Sequence, residues 1–155
     1  MNRPLFFCAF CLAATALTSR GQAQEDHYYS LVSVDTTNAA FADDNAKRAA
    51  DGSIRLSILK VPDSGPIAYA ISQVTLNCAS LKNQVVSAVN YASDGTQTAL
   101  PGEGDATPIK PGTLGEVLKR YICDGVDPYP RSKSIKGLQA AISKTHDLVA
   151  VEKNK

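Results

Sequence analysis

Tryptophan is absent from this chain, methionine occurs once, and two histidines are the whole imidazole supply of 155 residues. A zinc site wants three or four Cys or His ligands, usually in closely spaced pairs. Here His27 and His146 lie near opposite ends, and outside the first apolar run the cysteines are only Cys78 and Cys123, far apart in sequence. No resident metal is expected. Nor is a cofactor, since the one Gly-rich loop, Gly102 to Asp105, lacks the Lys-Ser/Thr that completes a phosphate-binding motif.

Charge of one sign is missing too. There are 16 basic and 15 acidic residues. If a leader holding Arg3 and Arg20 is removed, 14 basic residues face 15 acidic ones, a net charge near −1. Nucleic-acid binders carry a basic stripe, and none is present. No apolar run reaches the roughly 20 residues of a membrane span.

Catalytic candidates are sparse as well. His27 and His146 read as exposed polar residues near the chain ends. The Asp43-Asp44 pair could serve as paired carboxylates, but at a turn such residues usually accept backbone hydrogen bonds. Ser64 and Ser93 sit in turn sequences without the strand-to-helix context of a nucleophile elbow. The chain is read as non-enzymatic.

What is present begins with an address. Arg3, the apolar stretch from Leu5 to Leu17, and the small residues of Gly21-Gln22-Ala23 predict a secretory signal over residues 1–23, cleaved before Gln24 or Glu25. Phe7 and Phe10 precede Cys8 and Cys11, which disfavours lipid attachment. Export to an oxidising compartment then implies a Cys78–Cys123 disulfide. Its long loop is worth about 4 kcal/mol in the chain-entropy account.

From Tyr28 to Ala99, short Val-, Ile-, Thr- and Tyr-rich stretches alternate with turn signals, predicting β-strands. Ile54, Leu56 and Ile58 share a face until Leu59 and Val61 break the phase, which predicts a bulge or an end of pairing. Val74, Leu76 and Cys78 form another face, and Val85, Val89 and Tyr91 a third. Ser93 to Thr96 is expected to turn a hairpin into Gln97–Leu100. Pro101–Pro111 should end regular structure. A helix is predicted beyond it, opened by a Thr113–Glu116 capping box, with Leu114, Val117, Leu118, Tyr121 and Ile122 on one stripe. Gly125 is placed to stop it so that Cys123 can reach Cys78.

These landmarks, Tyr29 to Val34, Phe41 to Asp43, Ile54 to Leu59, Val74 to Cys78, Val85 to Tyr91 and Pro111 to Cys123, resemble the surface-adhesin protein E-like domain of Gram-negative bacteria over about residues 27–123. Tyr29 and Ala106-Thr107 stand where that family typically carries Trp. The resemblance implies an α+β fold: a twisted antiparallel sheet with a helix pinned to it by the disulfide. It also implies exposure to the periplasm or outer cell surface.

Residues 124–155 read as a helical extension beginning after Asp127-Pro128-Tyr129-Pro130. A stripe of Ile135, Leu138, Ile142 and Val149 packs on the domain or docks a partner, with Leu138 and Ile142 the candidate contact residues. The expected function is therefore an exported, non-catalytic binding protein whose partner is a host-matrix or envelope protein. A sheet edge offers a route to a homodimer. A periplasmic inhibitor of a hydrolase such as lysozyme, using the Pro101–Pro111 loop, is the alternative; a small periplasmic hydrolase depending on His146 or Asp43 is the third reading.

Overall fold

A computed structural model describes residues 26–155. The expected signal, its cleavage point, Cys8 and Cys11 lie outside the described residues. Within them, nine strands form one sheet: β1 (Tyr28–Val34), β2 (Asn38–Asp43), β3 (Lys47–Arg48), β4 (Ile54–Pro62), β5 (Ile67–Asn77), β6 (Lys82–Ala92), β7 (Gln97–Pro101), β8 (Thr107–Pro108) and β9 (Ile135–Lys136). Every pairing is antiparallel, in the order β7-β6-β5-β4-β2-β1-β9, with β3 on β4 and β8 on β6. Two helices complete the α+β fold, α1 (Leu114–Ile122) and α2 (Leu138–Lys153).

The middle of the sheet, at β1, β2 and β4, is buried on both sides, and this accounts for the broken alternation in β4. Leu56 and Ile58 join Val32, Ala40, Ala42, Val74, Leu76 and the α1 residue Leu118 in one core. Leu59 and Val61, pointing the other way, join Tyr29, Leu31, Ala39, Phe41 and the α2 residues Leu138 and Ala141 in a second. The expected bulge in β4 is absent: its registers with β2 and β5 run unbroken. The phase change instead marks where burial passes from the α1 face to the α2 face. Fully burying a side chain such as Phe41 or Leu59 contributes about 1.5–3 kcal/mol, and both are at or below 1% exposure.

A bulge does occur in β6. Gln73 pairs with Ser87 but Val74 with Val85, leaving Val86 as the extra residue. Bulges insert one residue and reverse the side-chain phase beyond it. Val85 consequently packs on the α1-side core and does not share a face with Val89 and Tyr91. Tyr91 lies opposite Tyr69, and the rings stack with centroids 4.4 Å apart.

The start of α1 also differs from expectation. Thr113 is the N-cap but makes no side-chain cap bond; its hydroxyl donates to the Lys110 carbonyl at 2.6 Å. Glu116 reaches one residue further back and accepts the Gly112 N–H at 2.8 Å. The helix end follows the sequence reading. Cys123 caps it, Gly125 takes φ 66°, and the Val126 N–H donates to the Arg120 carbonyl at 2.9 Å. Cys78 and Cys123 are disulfide-bonded with Cα atoms 5.7 Å apart.

The segment after Cys123 is built into the sheet and its core. Ile135 lies in β9, paired with Tyr29, so it is not on the helical stripe proposed for it. Leu138, Ala141, Thr145 and Val149 form the buried side of α2. A boundary at Cys123 is not a break in packing, because the α2-side core draws on both parts. Thr145, fully buried, satisfies its hydroxyl by donating to the Ala141 carbonyl at 3.2 Å.

Candidate functional site

Leu138 and Ile142, the two residues read as partner contacts, spend their surface inside the protein. Leu138 is buried in the α2-side core, and half-buried Ile142 packs against it. The opening lies beside them. Residues Pro128–Lys133, β9 and the outward side of α2 enclose a groove of about 880 Å³.

Its shape follows from a rigid local sequence. Pro128 and Pro130 fix their backbone φ and offer no N–H, while Asp127 accepts the Tyr129 N–H at 2.7 Å, the turn-forming habit of Asp. The Ser132 N–H closes onto the Tyr129 carbonyl at 2.7 Å. Two long-range bonds then fasten this wall to β1: the Val34 N–H donates to the Tyr129 hydroxyl at 3.2 Å, and the Ser30 and Ser134 hydroxyls lie 2.8 Å apart. The interior is apolar, with Leu31, Ile135 and Leu148 among its lining, and Arg131, Lys133 and Lys144 line it as cations. Lys144 is paired with Asp147 at 2.9 Å. Arg131 and Lys133 have no ion pair among the described residues.

A second, polar hollow occupies the same sheet face beyond the cover of α2. It measures about 460 Å³ and is lined by His27, Asp43, Asn45, Lys47, Arg55 and Ser57, among others. His27 is not a frayed terminal residue: its carbonyl accepts the Gly137 N–H at 2.9 Å, and its Nδ1 lies 2.5 Å from Asp43 Oδ2. Asp43 does take the expected turn bond, accepting the Asn45 N–H at 2.9 Å. Its bond to His27 spans 16 positions, and no local pattern announces it. Asp44 accepts the Tyr121 hydroxyl at 3.3 Å. Burial, the main cause, and the nearby Asp44 charge raise the pKa of that tyrosine, against an opposing Ser30 bond.

His146 is elsewhere. Its Nδ1 lies 3.0 Å from Asp63 just past the end of β4, so His146 and Asp43 do not form one site. Ser64 and Ser93 fall in the β4–β5 and β6–β7 connections. The Pro101–Pro111 loop lies along β6: Glu103 N–H donates to the Val85 carbonyl at 2.8 Å, Gln84 Nε2 donates to the Gly104 carbonyl, and Thr107-Pro108 pairs with Lys82-Asn83.

No helix among the described residues is long and apolar enough to cross a membrane. No family model, no curated protein and no solved structure matches the chain. The fold and site define a disulfide-linked antiparallel sheet, helix-covered on each face, bearing an apolar groove and a polar hollow.

Proposed function

We propose that the protein is an exported, non-catalytic interaction module of the surface-adhesin E-like kind, acting at the periplasm or cell surface. Its partner is an envelope or host-matrix protein. The observation that carries this reading is the groove beside α2. An apolar floor with cationic residues at its margin suits an apolar segment flanked by acidic residues, because the floor supplies burial while Arg131 and Lys133 select the charge. A wall of Pro-Tyr-Pro loses little freedom on binding, which favours affinity.

The inhibitor reading is less favoured, since the Pro101–Pro111 loop commits backbone groups to β6 instead of projecting as a free finger. The hydrolase reading, which rests on His146 or Asp43, is less favoured, since exposed His146 is paired with Asp63 and the Asp43 oxygens are engaged by His27 and Asn45.

The test is capture from outer-membrane and matrix fractions by the immobilised mature protein and by an Arg131→Glu/Lys133→Glu variant. Both side chains are exposed, so the fold should survive charge reversal. A partner retained by the native protein and lost by the variant supports the groove. Equal retention by both places the interaction elsewhere.

A further inference from the structure

Lys47 and Arg55 stand directly opposite one another across the β3–β4 pair. Like charges in that position repel and weaken a sheet. Among the described residues neither forms an ion pair. Asp51 senses the Arg55 charge, but its Oδ1 is committed to the Ser53 N–H at 2.9 Å and the Ser53 hydroxyl at 2.6 Å. Both cations therefore line the polar hollow without an ion-pair partner among the described residues, although Arg55 feels the more distant Asp51 charge.

Apart from Asp43 and Leu56, the remaining lining residues, His27, Asn45, Ser57 and Gln73, carry groups that can donate. Asp43 is the acid of the lining; its side chain is 5% exposed, and its two oxygens are engaged by Asn45 and His27, which leaves Lys47 and Arg55 in excess over it by one charge. The His27 ring lines the space with Nε2 unengaged among the described residues. When both ring nitrogens carry protons, Nδ1 donates to Asp43 and Nε2 can donate outward. Ser57 Oγ already accepts from Gln73 Nε2 at 2.8 Å, so its own hydrogen is free for another acceptor.

We propose that this hollow binds a tetrahedral oxyanion, the phosphate or sulfate of an ester, with Lys47 and Arg55 as counter-charges and His27, Ser57 and Asn45 as donors. Such a ligand converts the repulsion between the two cations into charge-assisted hydrogen bonds. Arg55 can engage two oxygens at once through its planar guanidinium. A volume of about 460 Å³ leaves room for the group that carries the ester, within the roughly 300–1,000 Å³ of small-ligand sites. This site is separate from the apolar groove and does not depend on the interaction proposed there.

The experiment titrates inorganic phosphate, inorganic sulfate, glucose 6-phosphate and glucosamine 6-sulfate into the disulfide-bonded mature protein at constant ionic strength set with chloride. Amide NMR shifts are the readout. Saturable shifts at Asn45, Arg55, Ser57 and Gln73 are expected, and chloride should not reproduce them. Lys47→Gln and Arg55→Gln should each weaken binding at least about tenfold, the worth of one hydrogen bond to a charged group. Dispersed spectra of these surface variants verify folding, and His27→Gln supplies a third, independent disruption. Tighter binding of one ester than of its inorganic ion supports the proposal and identifies sulfate or phosphate as the source. Shifts that merely track ionic strength, unchanged affinity in the Lys47→Gln/Arg55→Gln double variant, or no gain from either ester would overturn it.

Discussion

Gly102 lies against the backbone of Val86, so closely that a Cβ on Gly102 would sit 2.1 Å from the Val86 carbonyl oxygen. The contact holds the β6 bulge under the chain leaving β7, and the adjacent Glu103 N–H bonds to Val85. Gly102→Ala cannot be absorbed by turning a side chain, because the atoms met are backbone. We expect a loss of about 1–3 kcal/mol, the usual cost of overpacking, seen as a lower urea midpoint with an unchanged slope. Faster amide exchange at Glu103 would localise the damage.

Cys78 and Cys123 are 45 positions apart and bonded. Reduction, or paired Cys→Ser substitution, should cost about 4 kcal/mol by freeing the unfolded chain. Urea unfolding with and without reductant measures this. Intact mass of the native protein should show the loss of two hydrogens, and free alkylation of both thiols would contradict the bond.

The helix α2 is expected to be necessary for folding. A chain ended at Asp127 would strip Leu138 and Ala141 from the core that contains Tyr29, Phe41 and Leu59. It should aggregate or lose its cooperative melt. Within the full chain, Leu138→Ala should cost about 2–5 kcal/mol, whereas the exposed Ser143→Ala should change stability by no more than about 0.5 kcal/mol. Similar melts for the two variants would place Leu138 outside the core.

Asp63 ties the β4–β5 turn to the far end of α2, bonding Lys153 Nζ at 2.7 Å and His146 Nδ1 at 3.0 Å. The Lys153 bond, and next the His146 bond, hold its carboxyl below the usual range. A depressed carboxylate pKa adds stability that is complete above the unfolded value of about 3.9 and is lost as pH falls through the lower folded value. Solvent screens these side chains, so the effect should be local and small. Amides in the last turn of α2 should be better protected than in Asp63→Asn at about pH 6, with the difference shrinking as pH falls below the ordinary carboxylate value of about 3.9. A constant difference across that range would assign the effect to something other than the Asp63 charge.

The pattern of burial explains which inferences from sequence succeeded. Leu114, Val117, Leu118, Tyr121 and Ile122 recur at helical spacing, and all lie within α1. Val74 and Leu76 alternate onto one face because no bulge separates them. In β4 the same rule failed on both-sided burial, and in β6 it failed at Val86, where the extra residue is set by the partner strand and by Gly102. Ile135 looked like part of a helical stripe because two residues of strand carry no period of their own.

By itself, the sequence determined the properties that depend on neighbours along the chain: turn positions, the length and stripe of α1, the Gly125 stop, and a cysteine pair with no competitor among the described residues. The tertiary structure decided everything that depends on register between distant segments. His27 meets Asp43, Lys47 meets Arg55, and Leu31 shares a groove with Tyr129 and Leu148 only because the strands and α2 have been brought together. The physical reason is that hydrogen bonds along a chain are chosen by local geometry, whereas register is chosen by total burial over the whole sheet, where a one-residue slip sends every side chain to the opposite face.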